Sequence, residues 1–208
     1  MKHILQTTLL AILASTLATA ATTYDVTIDT TPLDTTQGYL AFDFLQGFPV
    51  EDNTVTISDF TTDATLGTLT PSGDATGTIS PGPGTLDDIN NFFNEFLQEV
   101  TFGTTISFNL SLTTNGAPTP DNFSFYLLDS SQFPIITSDP SGADSLISID
   151  ITGPGLTPNV YTSADATATV TPAGSSTPEP GSFWLIGISL AGLLPICRRR
   201  KKARRLAI

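Results

Sequence analysis

The sequence predicts a mostly β fold: an antiparallel β-sandwich or jelly roll with one short amphipathic helix. An N-terminal signal peptide precedes it and a single C-terminal membrane segment follows it. Apolar and polar residues alternate over many short stretches, as in strands with one buried face. About one residue in six is Thr, which favours strands. All positive charges except Lys2 lie within the last eleven residues, so the ends of the chain differ in kind from its middle.

Short strands account for most of the predicted acidic, Thr-rich body, residues 21–172. In the clearest strand, Ile106, Phe108 and Leu110 alternate with small polar residues. Clusters rich in Gly, Pro, Asn and Asp predict turns at 71–74, 81–84, 115–120, 139–142 and 153–158. The alternation predicts strands at 24–28, 40–44, 54–58, 106–112, 123–127, 147–151 and 166–170.

Residues 86–99 break this alternation and predict the one helix. Thr85 suits the N-cap, and Asp87 and Asp88 suit the first turn. The Phe residues of this segment are expected to pack in the core rather than to form an aromatic platform for a ligand. Apolar residues recur at helical spacing at Ile89, Phe92, Phe93, Phe96, Leu97 and Val100.

Residues 1–20 have the three parts of a secretory signal peptide. Lys2 provides the positive start, and a run rich in Leu, Ile and Ala provides the apolar centre. Ala18 and Ala20 form a small-x-small cleavage site, so signal peptidase is expected to cut after Ala20.

The C-terminal end combines a linker, an apolar segment and a basic tail. Residues 173–181 are rich in Ser, Pro and Gly, and residues 182–197 predict a transmembrane segment near the lower length limit for a span. Positive residues are retained in the cytoplasm, so the body is expected to face outward and the tail, 198–208, inward. The basic cluster consists of Arg198, Arg199, Arg200, Lys201, Lys202, Arg204 and Arg205.

The motif Pro178-Glu179-Pro180, followed by this apolar segment and Arg-rich end, resembles the PEP-CTERM sorting signal of exported bacterial proteins. The first motif position is often Val in that family and is Thr177 here. The resemblance implies transient anchoring in the cytoplasmic membrane and recognition by an exosortase-type membrane protease. Release to the cell surface or the extracellular matrix would follow. Proteins with this signal often accompany exopolysaccharide production.

The composition of the body excludes several kinds of chemistry. Between residues 21 and 173 there is no His, Cys, Lys or Arg, although 19 of the 20 acidic residues lie there. Ser-His-Asp and Cys-His catalysis, zinc sites with His or Cys ligands and basic phosphate clamps are therefore excluded. Nucleic acid is excluded as a partner because the body would repel it.

We expect no cofactor; the carboxylate oxygens are the remaining candidate ligands, and Ca²⁺ is the alternative that they would suit. Their spacing matches no EF-hand, and the alternative is that these Asp residues cap turns and hydrate the surface. Glu95 and Glu99 would share one face of the predicted helix. They could in principle act as an acid–base pair, but we expect them to be hydrated surface groups. The candidate calcium ligands are three pairs: Asp59 and Asp63, Asp87 and Asp88, and Asp139 and Asp144.

The sequence therefore predicts an exported protein without enzymatic activity, with a structural or adhesive role linked to exopolysaccharide. Two alternatives remain open. A carbohydrate-binding module, assisted by calcium, would need a surface of exposed aromatic residues. A carboxylate-based glycosidase would need two carboxyl groups that face each other across a cleft.

Overall fold

Two six-stranded antiparallel sheets pack face to face in the computed structural model, which describes residues 21–50 and 52–173. The predicted signal peptide, Pro-Glu-Pro motif, membrane segment and basic tail lie outside the described residues. Within the described ranges, no helix is both long enough and apolar enough to cross a bilayer. The mostly β fold predicted from the sequence is confirmed.

Twelve strands and one 3₁₀ turn, Thr31–Leu33, make up the described part of the chain. The first sheet has the order β12-β1-β8-β3-β6-β5, and the second has the order β11-β10-β9-β2-β7-β4. The strands are β1 Ala21–Asp29, β2 Gln37–Leu45, β3 Thr54–Thr62, β4 Thr65–Ser72, β5 Ala75–Gly77, β6 Gly84–Asp87, β7 Phe93–Thr101, β8 Thr105–Thr113, β9 Asp121–Asp129, β10 Ile147–Ile151, β11 Asn159–Val160 and β12 Thr167–Pro172.

Alternating residues of the central strands fill the space between the sheets. Phe108 of β8 lies at the centre of an aromatic cluster. Its ring makes an edge contact with Phe42 of β2 at 5.3 Å between centroids and lies 5.6 Å from Phe125 of β9. Phe60 stacks on the same ring at 6.4 Å. Because these contacts join both sheets, the cluster holds the sandwich together, and each buried Phe contributes about 1.5–3 kcal/mol by area alone.

The predicted helix at residues 86–99 is wrong. Its first residues belong to β6, and Thr85, the expected N-cap, is a residue of this strand. The segment from Phe93 onward forms β7, in the middle of the second sheet between β2 and β4. Phe96 is buried as expected, but Phe92 and Phe93 are exposed.

Two buried amides of β7 explain why the sequence resembles a helix. The inward residues of β7 alternate Asn94, Phe96, Gln98 and Val100, so polar side chains occupy half of the buried positions. The Gln98 side chain donates hydrogen bonds to the carbonyls of Gly67, at 3.0 Å, and Glu99, at 2.9 Å, beside a bulge in β4. The role of Gln98 depends on a distant segment, and the apolar period of two is lost from the local sequence.

One end of the sandwich, here called the loop end, is formed by segments 46–50, 52–53, 88–92 and 114–120. The register places them together, because Leu45 pairs with both Phe93 and Asn122. Asp87 pairs with Thr54 at the same end. The body also begins and finishes here, since Ala21 pairs with Thr113, and the N–H of Ala173 donates to Thr23 at 2.9 Å.

Candidate functional site

Asn53 is the centre of the loop end. Its side chain is fully buried and hydrogen-bonds to three neighbouring segments. The amide nitrogen Nδ2 donates to the Asn115 carbonyl at 2.7 Å and to Oδ2 of Asp121 at 2.5 Å. Its Oδ1 accepts hydrogen bonds from the Thr113 hydroxyl and the Asn115 N–H, both at 2.9 Å. Asn53 thus joins the end of β8 in the first sheet to the start of β9 in the second.

Three carboxylates converge beside Asn53. Asp52, Asp87 and Asp88 each contribute one oxygen, and these oxygens all lie within 4.8 Å of one another. Asp52 is exposed, Asp87 is half-buried and Asp88 is fully buried. The backbone N–H of Asn53 donates to Oδ1 of Asp88 at 2.9 Å. The second oxygen, Oδ2 of Asp88, is buried and accepts no hydrogen bond.

Negative charge accumulates around Asp88. Its pKa is raised to about 7: burial raises it most, the hydrogen bond from the Asn53 N–H lowers it, and contact with Asp121 and the charge of Asp87 raise it. The body contains no Lys, Arg or His that could neutralise the group. At neutral pH, therefore, this buried carboxyl is stabilised by either a proton or a bound cation.

Exposed apolar side chains lie on the same loops. Phe48 is 74% exposed and Phe92 is 64% exposed, values unusual for Phe in a folded domain. Three further apolar residues of this end are also exposed: Val50, Ile89 and Phe93. Five of the eight large apolar residues that are exposed in the described part of the chain lie at this end, which indicates a contact surface.

Backbone hydrogen bonds hold these loops in place. The N–H of Gln46 donates to the Phe92 carbonyl at 2.9 Å, and the side chain of Gln46 donates to the Asp88 carbonyl. Phe48 and Thr119 exchange two hydrogen bonds, at 2.9 and 3.1 Å. At Gly47 the loops approach so closely that an added Cβ would lie 2.0 Å from the Thr119 carbonyl oxygen. The exposed residues are thus carried by a fixed backbone.

Asp59 and Asp63, the first candidate calcium pair, each bind other groups of the protein. Asp63 accepts hydrogen bonds from the Thr104 hydroxyl at 2.7 Å, from the Thr104 N–H and from the Thr105 N–H. These bonds, that from the Thr104 hydroxyl first, lower its pKa to about 2. Asp59 accepts a hydrogen bond from the Asn109 side chain at 2.7 Å. Both residues therefore have structural roles in the turn region between β3 and β8.

Asp139 and Asp144, the third candidate pair, stabilise the segment between β9 and β10. Asp139 accepts hydrogen bonds from the Ser141 N–H and from the Ser145 N–H and hydroxyl. Burial alone would raise its pKa, but these bonds outweigh it and lower the pKa overall. Asp144 accepts a hydrogen bond from the Thr137 N–H at 2.9 Å. In the described part of the chain, only Asp87 and Asp88 of the candidate pairs gain a third carboxylate.

Sequence reasoning missed Asp52, Asp121 and Asn53. Asp52 and Asp88 are 36 positions apart, and only the pairing of β3 with β6 brings them together. The run Glu51-Asp52-Asn53 before a predicted strand was a local signal of an acidic turn. The partner strand β6 could not be recognised, because its residues had been assigned to a helix.

Two carboxyl groups also meet on the outer face of the second sheet. Asp43 of β2 and Glu95 of β7 are directly opposite each other, in hydrogen-bonding contact. Glu99 lies four residues farther along β7, on the same face, where it lines a shallow hollow together with Tyr39. It is the single carboxylate among the residues that line this hollow.

Comparison with known proteins gives one match. Residues 176–201 match the family model of the PEP-CTERM protein-sorting motif, a region that includes Pro178, Glu179 and Pro180. Neither the curated proteins nor the solved structures contain a match to the chain. The chain thus carries a PEP-CTERM protein-sorting motif, and this motif implies an exported protein that is transiently anchored in the membrane and sorted by an exosortase.

Proposed function

We propose that the β-sandwich acts at the cell surface or in the extracellular matrix as a non-catalytic adhesive or structural protein that binds exopolysaccharide through its loop end. The observation that carries this proposal is the exposure of Phe48 and Phe92 on loops fixed by hydrogen bonds. A fixed aromatic side chain loses little conformational entropy on binding and contributes a large apolar area.

Sugar polymers suit such a surface. The C–H faces of sugar rings are apolar and pack on aromatic side chains, while the hydroxyl groups of the sugar donate hydrogen bonds to carboxylates. The body carries 19 acidic and no basic side chains, so it repels acidic polymers at low salt. We therefore expect a neutral exopolysaccharide to bind more tightly than an acidic one.

The geometry favours binding over glycoside hydrolysis. Glycosidases hold two carboxyl groups about 5–9.5 Å apart on either side of the bond to be cut. Asp43 and Glu95 are instead in hydrogen-bonding contact on a sheet face, and Glu99 is the one carboxylate of its hollow. A carbohydrate-binding module with a defined sugar ligand is the second candidate, and the exposed Phe48 and Phe92 favour it over the glycosidase.

Binding to polysaccharide tests the proposal. Residues 21–173 contain all twelve strands and the hydrophobic core between the sheets, so we expect this body to fold when it is produced alone. We expect it to co-sediment with exopolysaccharide from the producing cells and to migrate more slowly in gels that contain it. The double variant Phe48→Ser/Phe92→Ser should bind at least about fivefold more weakly, since each lost aromatic contact is worth about 0.5–1.5 kcal/mol.

Phe133→Ser is the matched control. Phe133 is 68% exposed, but it follows β9 at the opposite end of the sandwich. Its replacement should leave binding unchanged, and all three proteins should melt at similar temperatures. Equal binding by the double variant and the wild type would contradict a role for the loop end. Release of reducing sugar ends during incubation would contradict a non-catalytic role.

A further inference from the structure

We propose that Asp52, Asp87 and Asp88 form a calcium site at the loop end. The site needs no assumption about what the exposed Phe residues bind. Two observations carry it: the convergence of three carboxylates from two distant segments of the chain, Asp52 and Asp87-Asp88, and the buried Asp88 oxygen that accepts no hydrogen bond.

The spacing of the oxygens fits one ion. Oxygens bound to a single Ca²⁺ lie about 2.3–2.6 Å from it, so two of them are at most about 5 Å apart. The oxygens of Asp52, Asp87 and Asp88 lie within 4.8 Å of one another. Three carboxylates provide three to six oxygens, and the exposed position of Asp52 leaves access for water to complete the six to eight that Ca²⁺ takes.

The unpartnered oxygen points to a cation rather than to a simple acidic turn. A buried carboxylate oxygen without a donor is costly, and native proteins pair nearly all such groups. The other oxygen of Asp88 accepts a hydrogen bond from the Asn53 N–H at 2.9 Å, which holds the carboxylate in place. The other candidate ligands, Asp59, Asp63, Asp139 and Asp144, also accept hydrogen bonds from the protein, but none of them has a buried oxygen without a partner.

The surrounding residues provide a second layer that orients the ligands. Asp121 accepts hydrogen bonds from the Gly47 N–H and the Asn53 side chain, both at 2.5 Å, and adds a fourth negative charge next to Asp88. Asp87 accepts a hydrogen bond from the Ile89 N–H at 2.9 Å. A bound ion would therefore link β6 of the first sheet to loops that carry Phe48 and Phe92.

The ligand set favours Ca²⁺ over other ions. The absence of His and Cys from the body removes the usual ligands of zinc and copper. Mg²⁺ requires near-octahedral geometry at shorter distances and gives up its water reluctantly. Carboxylates that converge from a loop and from the end of a strand suit the more flexible coordination of Ca²⁺.

Calorimetric titration of the chelator-treated body, residues 21–173, with CaCl₂ tests the site. We expect one Ca²⁺ per chain, with a Kd of about 0.1–1 mM, the range of extracellular calcium modules. The melting temperature should rise more with Ca²⁺ than with Mg²⁺ at matched ionic strength, since a ligand that binds only the folded state stabilises it.

Substitutions locate the ion. Asp52→Asn should weaken Ca²⁺ binding at least about tenfold, because site affinity depends on the number of charged ligands. Its melting temperature in chelator should stay near that of the wild type, since Asp52 is exposed. Asp88→Asn retains an acceptor for the Asn53 N–H and should abolish the calcium response. If Asp88→Asn fails to fold, Ca²⁺ titration of Asp52→Asn and Asp87→Asn tests the site instead.

Asp34→Asn is the matched control for charge. Asp34 is exposed beside the 3₁₀ turn at the opposite end, so its replacement removes one charge without touching the site. It should leave the affinity for Ca²⁺ unchanged. Equal stabilisation by Ca²⁺ and Mg²⁺ would overturn the proposal, and so would an equal loss of Ca²⁺ affinity in Asp52→Asn and Asp34→Asn. Either result would mean that Ca²⁺ only screens the charges of the acidic surface.

Discussion

Asp43 and Glu95 face each other directly across β2 and β7, two acidic residues in hydrogen-bonding contact. The next residues in this cross-strand row are serines, Ser72 on one side and Ser124 on the other. Like charges at opposed positions destabilise a sheet. Burial first, and then the charge and hydrogen bond of Glu95, raise the pKa of Asp43 to about 7, so the two groups share a proton under mildly acidic conditions.

Asp43→Asn should make the body more stable at neutral pH. A carboxyl whose folded pKa is raised from 3.8 to about 7 stabilises the fold fully below pH 4, and this contribution is lost as the pH rises toward 7. Asn mimics the protonated acid and can donate to Glu95. We expect the free energy of unfolding at pH 7.5 to rise by about 2–3 kcal/mol and to change little at pH 4.

Urea unfolding at pH 4, 5.5 and 7.5 provides the measurement, with exposed Asp34→Asn as the control for loss of one charge. The wild type should be most stable near pH 4–5. Asp88, whose pKa burial also raises to about 7, contributes to the decrease above this range. Asp63, with its pKa lowered to about 2, contributes to the decrease at lower pH. If Asp43→Asn and Asp34→Asn show the same pH dependence, the shared proton is not significant for stability.

Added salt should stabilise the body at neutral pH. No ion pair between side chains can form in residues 21–173, because they contain no Lys, Arg or His. Self-repulsion among the carboxylates therefore acts without compensation and is screened by ions. From 20 mM to 0.5 M NaCl we expect a gain of about 1–2 kcal/mol in the free energy of unfolding at pH 7.5.

Urea is the suitable denaturant, since guanidinium chloride is itself a salt. The same titration at pH 4 is the internal control: carboxyl groups with raised pKa values are then protonated, and the salt effect should be smaller. A salt response of equal size at both pH values would indicate an effect on hydrophobic burial rather than on charge.

The class of fold could be predicted because the core strands alternate locally. In β8 the inward residues Ile106, Phe108, Leu110 and Leu112 are all apolar, so period two is visible without knowledge of the partner strands. β7 was not recognised, because Asn94 and Gln98 are buried through hydrogen bonds with a turn and a bulge elsewhere in the chain. The local sequence of a strand does not reveal which residues of another strand will form hydrogen bonds with its side chains.

The candidate site was predicted only in part for a similar reason. Asp87 and Asp88 were recognised as an acidic pair, but two other pairs resembled it equally. The difference lies in hydrogen bonding: Asp63 and Asp139 are satisfied by nearby N–H and hydroxyl groups, while one oxygen of Asp88 is not. Phe92 is exposed because β7 begins only at Phe93. The helical spacing of the apolar residues gave no sign of this boundary.

Phe108→Ala should be among the most destabilising single changes in the body. Phe108 is 2% exposed and contacts Phe42, Phe60 and Phe125 from both sheets. Truncation of a buried Phe removes apolar surface from the core and leaves a cavity, which lowers the free energy of unfolding by about 3–5 kcal/mol. Phe133→Ala, at an exposed position, should change stability by less than about 0.5 kcal/mol. A loss below 1 kcal/mol for Phe108→Ala would mean that the sheets are not held together by this cluster.

Asn53→Ala should open the loop end while leaving the sandwich folded. The substitution removes donors to Asn115 and Asp121 and leaves the half-buried N–H of Asn115 without its acceptor, at a combined cost of about 2–4 kcal/mol. Asn90→Ala is the control, because the Asn90 side chain lies exposed on the neighbouring loop. Hydrogen exchange should show faster exchange of the Asn115 and Gly47 amides in Asn53→Ala, with β8 amides such as Phe108 still protected. Uniform loss of protection throughout both sheets would instead show that Asn53 is required for the whole fold.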